Sequence, residues 1–504
     1  MSFLTRSIGF AQTYGSGFFS KIKNILIVFS VVGLGVVFGY LMNQSQETAW
    51  LVTSLTLLLA LILITNYKPL FGFILIIPFY SFLEPYIEIN MGAGLPDLSF
   101  SRFMVVFLAI FMLAQGAIKK FEIKRISIVE FCAAGILIGI GSSAAGASDA
   151  IRMFQVLLSR FVVPLSLYFF ARNLIQSKQD LNKFLWGISL LGLAGSIYAI
   201  YEIYTGNILF AGLDFDAEAA RTTYSGSLTL LNGLFGRSPV FGRIFAMTIP
   251  ISFYLLFDSK DKRAKTLLTL ALMVQFYGLF LTYNRTSWYA AIIGLTILQL
   301  FYAQFRLAYI VIVLVAALSL WAMWDQLQKT DVVEDRVNRN SETFNGRTEM
   351  WEAAREMWKV KPIRGWGEGA FEKESARFRP DGRNVNFRST QSEYWDILVH
   401  YGLIGFVPYF LFLFIPLLYS VVLFFLSRSA GWSGFINPGI ISIYWTVLIV
   451  FLLGGYTVPV NNPIGRMIPF AVAGAIVGTH QDLARNTLLA LFKINPFRKK
   501  PVTQ

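Results

Sequence analysis

The chain has 504 residues, of which 55% are hydrophobic and 16% aromatic, while only 14% are charged. This composition is too apolar for a single water-soluble core, and uncharged runs of about 20 residues, the length that spans a bilayer, recur along it. The formal net charge of +14 is dispersed over short connections and tails. Without a basic domain interleaved with aromatic residues, that charge argues against nucleic-acid binding.

The apolar runs predict an all-α polytopic membrane protein with about fourteen membrane-spanning helices. The first run lacks a small-residue cleavage site, which predicts a retained helix and not a signal peptide. We place the spans near 24–42, 48–65, 68–87, 103–118, 126–146, 153–172, 184–204, 239–257, 266–283, 286–303, 306–325, 402–426, 438–458 and 464–479.

Basic residues on alternate short loops predict the orientation. The positive-inside rule assigns such loops to the cytoplasm, together with both basic termini. An active site in the other segments would then lie on the outer face of the membrane. The basic loop residues are Lys119, Lys120, Lys124, Arg125, Lys178, Lys183, Lys260, Lys262, Arg263 and Lys265.

Two polar segments are too long to be simple connectors, and both fall on the predicted outer side. They divide the chain into N-terminal transmembrane helices at 1–204, an outer loop at 205–240, central transmembrane helices at 241–325, a large outer loop at 326–401, C-terminal transmembrane helices at 402–480 and a basic cytoplasmic tail at 481–504.

The large outer loop contains a predicted amphipathic helix from Gly346 to Trp358. Apolar residues recur there at helical spacing, acidic residues lie near its start, and Lys359 and Lys361 follow its end. Pro362 ends the helix. The apolar face is expected to lie on the membrane or on the helix bundle; it comprises Met350, Trp351, Ala354, Met357 and Trp358.

Arginines gather at the predicted outer ends of the helices, where the sorting rule disfavours them, so they need a partner. Guanidinium groups pair with phosphates through forked hydrogen bonds, which predicts a site for a polyanionic, membrane-bound ligand such as a lipid diphosphate. The set is Arg102, Arg152, Arg160, Arg221, Arg237, Arg243, Arg285 and Arg466.

Each arginine also has a structural alternative. In the structural alternative, Arg285 lies at a helix end and its side chain reaches the lipid headgroups, and Arg102 and Arg466 are headgroup anchors. Arg160 lies deeper in its helix, where an ion pair with Glu202 is the alternative to a ligand contact.

The ordered motifs between about 220 and 425 resemble the O-antigen ligase and O-antigen polymerase family. They are Gly233-Leu-Phe-Gly-Arg-Ser-Pro239-Val-Phe-Gly242, Arg285 after a membrane helix, Gly346-Arg347-x-x-x-Trp351, Pro362-x-x-Gly365-x-Gly367-x-Gly369-x-Phe371, Tyr394, and Tyr401-Gly-Leu-Ile-Gly405. The resemblance implies a GT-C class glycosyltransferase fold, an undecaprenyl-diphosphate-linked glycan donor and a location in the bacterial inner membrane, with the active site on the periplasmic face. No cofactor is expected.

One position departs from the family pattern. Ligases of the family usually carry histidine and asparagine where this chain has Gln391 and Ser392. A glutamine side chain is not a useful proton acceptor near neutral pH. A helix over 391–401 would align Glu393, Asp396 and His400, with Glu393 as the first candidate base and His400 as a second, or as a polar interface residue.

These observations predict an inverting, metal-independent polymerase that joins lipid-linked repeat units. A ligase that uses lipid A-core or another acceptor is the close alternative, and a lipid-linked glycan or anion transporter is the alternative from another class. Arg285, Glu393 and His400 are the predicted catalytic residues. The phosphate contacts are expected from Arg160, Arg221, Arg237, Arg243 and Arg285, and the glycan contacts from Arg347, Trp351, Gln391, Tyr394 and Asp396.

The predicted partners are the lipid-linked oligosaccharide donor, a glycan or glycolipid acceptor, membrane lipids and a chain-length regulator. No metal cage is evident in the sequence, because His400 and His480 fall on opposite sides and Cys132 is the single cysteine. The alternative to a metal-independent enzyme is a divalent cation held by Asp214 and Asp216, which form an Asp-x-Asp pair.

Overall fold

The computed structural model describes residues 46–84, 87–89, 97–117, 123–144, 150–208, 231–315, 318, 340–428, 434–460 and 462–493. The chain divides into two units, residues 1–61 and 62–504, and every contact discussed below lies within the second. The predicted span at 24–42 lies outside the described residues. In the part that is described, the regular structure is helical apart from one antiparallel pair of two-residue strands, β1 (Glu88–Ile89) and β2 (Leu98–Ser99).

The helices of the described residues are numbered in chain order. They are α1 (Gln46–Tyr67), α2 (Pro69–Leu83), α3 (Phe100–Ala117), α4 (Ile128–Ala144), α5 (Ala150–Leu157), α6 (Val163–Leu174), α7 (Lys178–Thr205), α8 (Ser238–Asp258), α9 (Lys262–Leu281), α10 (Arg285–Phe301), α11 (Ala303–Val315), α12 (Asn340–Val360), α13 (Ala370–Glu374), α14 (Glu393–Leu426), α15 (Pro438–Thr457) and α16 (Ile464–Lys493).

The prediction of a polytopic helical membrane protein is confirmed. Among the described residues, seven helices are long and apolar enough to cross a membrane: Phe100–Ala117, Met153–Leu174, Lys178–Thr205, Ser238–Asp258, Lys262–Leu281, Glu393–Leu426 and Pro438–Thr457. Helices α10 and α11 form an apolar pair bent by 119°. The predicted total of about fourteen spans stays a prediction.

The structure moves three of the predicted boundaries. Helix α16 continues to Lys493, so the predicted tail at 481–504 begins within a helix. Helix α8 already begins at Ser238, inside the predicted loop at 205–240. Helix α14 begins at Glu393 and is broken at Gly402, where the predicted outer loop was expected to end.

The basic connections lie together at one end of the helix bundle. Lys178 at the start of α7 pairs with Asp258 at the end of α8 at 2.5 Å, and Lys124 pairs with Asp482 on α16 at 2.8 Å. Nearby, the fully buried Arg172 pairs with Glu130 at 2.7 Å. We call this the basic end. The loop-bearing ends of the same helices form the opposite end.

Helix α12 confirms the predicted amphipathic helix and extends it from Asn340 to Val360. Ala354 and Met357 are fully buried, in a small apolar cluster that also holds Phe371, Phe387 and Val399. The side chain of Val399 belongs to α14. The apolar face therefore packs on the bundle as well as on its own loop.

The segment after α12 is joined to α14 through the backbone. The amides of Trp366 and Gly367 donate to the carbonyls of Val399 and His400 at 2.8 and 2.9 Å, and the amides of Leu403 and Ile404 donate to those of Pro362 and Ile363 at 2.9 and 3.1 Å. The helical backbone of α14 is interrupted at Gly402, where φ is +61°, and this break makes room for these bonds. Two of the family motifs thus meet in space.

Gly402→Ala should destabilise the protein by about 1–3 kcal/mol, because a side chain disfavours this backbone conformation. The added Cβ would also overlap the carbonyl of Ile363. Thermal unfolding in detergent measures the loss. Gly141→Ala is the control, since that exposed helical glycine has open space around its Cβ position and should be neutral or gain about 0.5–1 kcal/mol. Equal melting temperatures for the two variants would contradict the expectation.

Candidate active site at the loop-bearing end

Several helices begin side by side at the loop-bearing end. Ser238 Oγ at the start of α8 donates to the carbonyl of Thr282, just before α10. Asn462, just before α16, donates to the carbonyl of Phe235 at 3.0 Å. The amide of Val460 donates to Glu393, the first residue of α14, at 2.6 Å. The positive dipole ends of several helices therefore share one region, which favours anions.

The start of α10 holds Arg285 in a defined position. Asn284 caps the helix by accepting from the amide of Ser287 at 2.9 Å, and Tyr283 before it has a left-handed backbone with φ of +48°. Non-glycine residues rarely adopt that conformation, and they cluster at functional sites when they do. Arg285 is the first helical residue and is partly buried, whereas Arg237, which precedes α8, is exposed.

Glu393 and Arg466 form a fully buried ion pair at this end, and each side chain is 1% exposed. Arg466 Nε donates to Glu393 Oε1 at 3.1 Å, Tyr409 donates to the same oxygen at 3.1 Å, and the amide of Val460 takes the other oxygen. Both carboxylate oxygens are engaged, which favours a positioning role for Glu393 over its predicted role as a base. Arg466 is not the expected headgroup anchor.

Arg243 is 2% exposed and points into the bundle. Its Nη2 donates to the carbonyls of Gly454 and Val458 at 2.8 and 2.9 Å, at the C-terminal end of α15. A cation there satisfies the free carbonyls and complements the negative end of the dipole. These contacts favour a structural role for Arg243 over the predicted phosphate contact.

Arg160 lies in a π-helical turn, Leu158–Val162, between α5 and α6. Pro164 has no amide hydrogen to donate to the carbonyl of Arg160, and this carbonyl accepts from Arg466 Nη1 at 3.1 Å instead. Widened turns of this kind often occur at functional sites.

The ion-pair partner expected for Arg160 was wrong. Arg160 Nη1 lies 2.8 Å from Glu368 and 3.7 Å from Asp396. Glu202 instead accepts from the amides of Asn232 and Gly233 at 2.7 and 3.2 Å. Arg160 thus connects the turn between α5 and α6 to Glu368 in the large loop, and not to Glu202 on α7.

His400 lies at the centre of a cluster of carboxylates. Its Nδ1 is 3.6 Å from Asp396 and 3.8 Å from Glu368, and its Nε2 is 3.8 Å from Glu372. The side chain is 1% exposed, and neither ring nitrogen has a hydrogen-bond partner. Tyr401 donates to Glu368. Burial raises the pKa of Glu372, and the charges of Asp396 and Glu368 raise it further, while that of His400 opposes them.

Sequence reasoning missed Glu368 and Glu372. Glu368 lies within the glycine motif Pro362–Phe371, and Glu372 follows it directly. Gly369, with a left-handed backbone and φ of +74°, precedes the first residue of α13. The sequence does show two acidic residues among and just after the glycines of a polar segment. It does not show what they contact, because His400 lies about thirty residues further along the chain.

The residues predicted to contact the glycan lie in several parts of the loop-bearing end. Tyr394 donates to the carbonyl of Leu452 at 2.8 Å, and the Trp351 ring lies 5.0 Å from that of Tyr456, so both pack on α15. Gln391 has a left-handed backbone with φ of +52° just before α14. Arg347 lies partly buried on α12.

Three of the predicted residues, Arg221, Asp214 and Asp216, lie outside the described residues, and nothing is concluded about them. Within the described ranges, no group of three or more histidine, cysteine or acidic residues is arranged to hold a metal ion.

Comparison with known proteins identifies the class. Residues 268–410 match the family model described as O-antigen ligase, so the predicted resemblance to the O-antigen ligase and polymerase family is confirmed. The matched segment includes α10, the amphipathic helix α12, the glycine motif and the first half of α14. No curated protein matches the chain. The chain is therefore a polytopic membrane protein that is similar to the O-antigen ligase family over residues 268–410.

Glu393→Gln should lower stability, because it leaves the Arg466 guanidinium buried opposite an uncharged side chain. Breaking one partner of such a pair costs about 3–5 kcal/mol. Thermal unfolding in detergent measures this, and the double variant Glu393→Gln with Arg466→Gln should recover part of the loss. An unchanged melting temperature with turnover slowed at least tenfold would instead support the predicted base.

Proposed function

We propose that the protein is an inverting glycosyltransferase. It moves a glycan from undecaprenyl diphosphate to an acceptor hydroxyl at the outer face of the inner membrane. The acceptor is another lipid-linked repeat unit, so the product is a surface polysaccharide such as O-antigen. The family match supports transfer of this general type.

The observation that carries the proposal is the convergence of helix N-termini around Arg285 and Arg237. When the glycosidic bond breaks, negative charge grows on the bridging oxygen and the phosphates of the leaving diphosphate. Fixed amides, dipoles and guanidinium groups stabilise this charge without reorganising. The partly buried Arg285 and the exposed Arg237 lead two adjacent helices, which suits a headgroup arriving from the bilayer.

The basic end supports the orientation. Lys124 and Lys178 lie there with the other basic connections, and basic loops stay in the cytoplasm. The convergent helix starts lie at the opposite end, so the proposed site faces outward.

Gln391 favours the polymerase over the ligase, because the ligases of the family usually carry a histidine there. A ligase with lipid A-core or another acceptor is the second candidate. A transporter of lipid-linked glycans or small anions would also gather arginines, but it would require no proton acceptor beside the phosphate site.

Incubation of the purified protein with a synthetic undecaprenyl-diphosphate-linked repeat unit tests the function. A polymerase produces a ladder of longer glycans from this single substrate, and we expect the ladder to persist in EDTA. A ligase forms product only when lipid A-core or another acceptor is supplied. The absence of any new glycosidic bond under both conditions would favour a transporter.

Arg285→Ala should abolish transfer while leaving folding near normal, because the lost phosphate contact stabilises the transition state by several kcal/mol. Arg285→Lys should also transfer poorly, since a point charge lacks the guanidinium fork. Arg306→Ala is the control. That exposed arginine contacts the carbonyls of Gln299 and Leu300 at the far end of α10. Near-normal turnover of Arg285→Ala would rule out this role.

A further inference from the structure

We propose that Glu372 accepts the proton of the acceptor hydroxyl, and that His400 is the residue that positions it. This assignment rests on the proposed function and identifies a base in place of the family histidine.

The other carboxylates of the cluster already have partners. Glu368 pairs with Arg160 at 2.8 Å and accepts from Tyr401. Asp396 lies 3.7 Å from Arg160 and accepts from Thr390 at 3.5 Å. Asp396 is also buried, with 8% of its side chain exposed. An acceptor sugar would have to displace the 2.8 Å ion pair with Arg160 to reach Glu368, and it would have to enter the protein interior to reach Asp396.

Glu372 differs from both in exposure. Its side chain is 41% exposed, although its neighbour His400 is almost completely buried. It lies on α13, which the glycine motif joins to α14 through the bond from the amide of Gly367 to the carbonyl of His400. The carboxylate therefore stands where the buried cluster meets solvent, within reach of a sugar hydroxyl.

His400 connects Glu372 to the buried part of the cluster. Its side chain is 1% exposed and lies at ion-pair distance, 3.6 to 3.8 Å, from Asp396, Glu368 and Glu372. Its Nε2 lies 3.8 Å from Glu372, slightly beyond hydrogen-bond distance. Such bonds are often long in free enzymes and shorten when substrate binds. A movement of α13 toward α14 by about 1 Å would bring the Glu372 carboxylate within hydrogen-bond distance of His400 Nε2.

The step balances without a further reactant. The acceptor oxygen forms a bond to the anomeric carbon, and the bond from that carbon to the diphosphate oxygen breaks. Undecaprenyl diphosphate leaves with the electron pair, near Arg285. The hydroxyl proton moves to a carboxylate oxygen of Glu372, which later releases it to water. Tyr401 and the ion pair of Arg160 with Glu368 hold the cluster in place.

The pH dependence follows from the ionisation of Glu372. Proton acceptance needs the carboxylate, so turnover should fall as the pH drops through the pKa of Glu372, which burial raises. The charged groups that face it are His400 and Asp396 from α14 and Glu368 from the glycine motif. Because His400 opposes the rise, His400→Gln should move this acidic limb to higher pH.

Glu372→Gln is the direct test, with Glu374→Gln as its matched control on the same short helix, where Glu374 pairs with the exposed Arg377. We expect Glu372→Gln to lower kcat at least tenfold, with the KM for the lipid-linked donor and the melting temperature unchanged, and to remove the acidic limb. We expect Glu374→Gln to match the parent.

Two results would overturn the assignment, and they are distinguishable. If the parent protein elongates the lipid-linked repeat unit and Glu372→Gln stays within twofold of it, Glu372 is not the proton acceptor although the proposed function stands. If the parent forms no glycosidic bond with any acceptor, the proposed function fails and the assignment fails with it. An unmoved acidic limb in His400→Gln would remove the positioning role alone.

Discussion

The backbone contact between the glycine motif and the break in α14 determines the geometry of the whole loop-bearing end. Helix α14 opens at Gly402, and the residues on either side of the break bond to Pro362, Ile363, Trp366 and Gly367. Glycines at 365 and 402 let the two backbones approach to a distance that side chains would prevent. Through this contact Glu368 and Glu372 reach His400, and α12 is held over the bundle.

The arginines serve two purposes that composition alone does not separate. Arg243 and Arg466 are buried and hold α8, α14, α15 and α16 together through carbonyl and carboxylate partners. Such groups are costly to bury without those partners. The partly buried Arg285 and the exposed Arg237 instead stand at the starts of two adjacent helices, and they are the arginines that we propose for the phosphate contact. Arg243 and Arg466 hold the helix starts in place, and those helix starts position Arg285 and Arg237.

A division of the site into an anion-binding side and an acidic side suits a transfer between two lipid-linked glycans. In the proposed reaction the cationic helix starts would stabilise the leaving diphosphate, while the cluster around His400 is rich in carboxylates. Arg160 lies between these regions, since its guanidinium contacts Glu368 and its carbonyl accepts from Arg466.

The sequence by itself determined the membrane class, the separation of basic connections from the long polar segments, the amphipathic helix and the similarity to the O-antigen ligase family, because hydrophobic length, periodicity and ordered motifs are local properties. The ion pairs were decided by tertiary structure alone. Glu393 was expected to be a base but faces Arg466, and Arg160 was expected near Glu202 but contacts Glu368. Those partners lie 73 and 208 residues apart. Helix packing, rather than spacing along the chain, selects which charges meet.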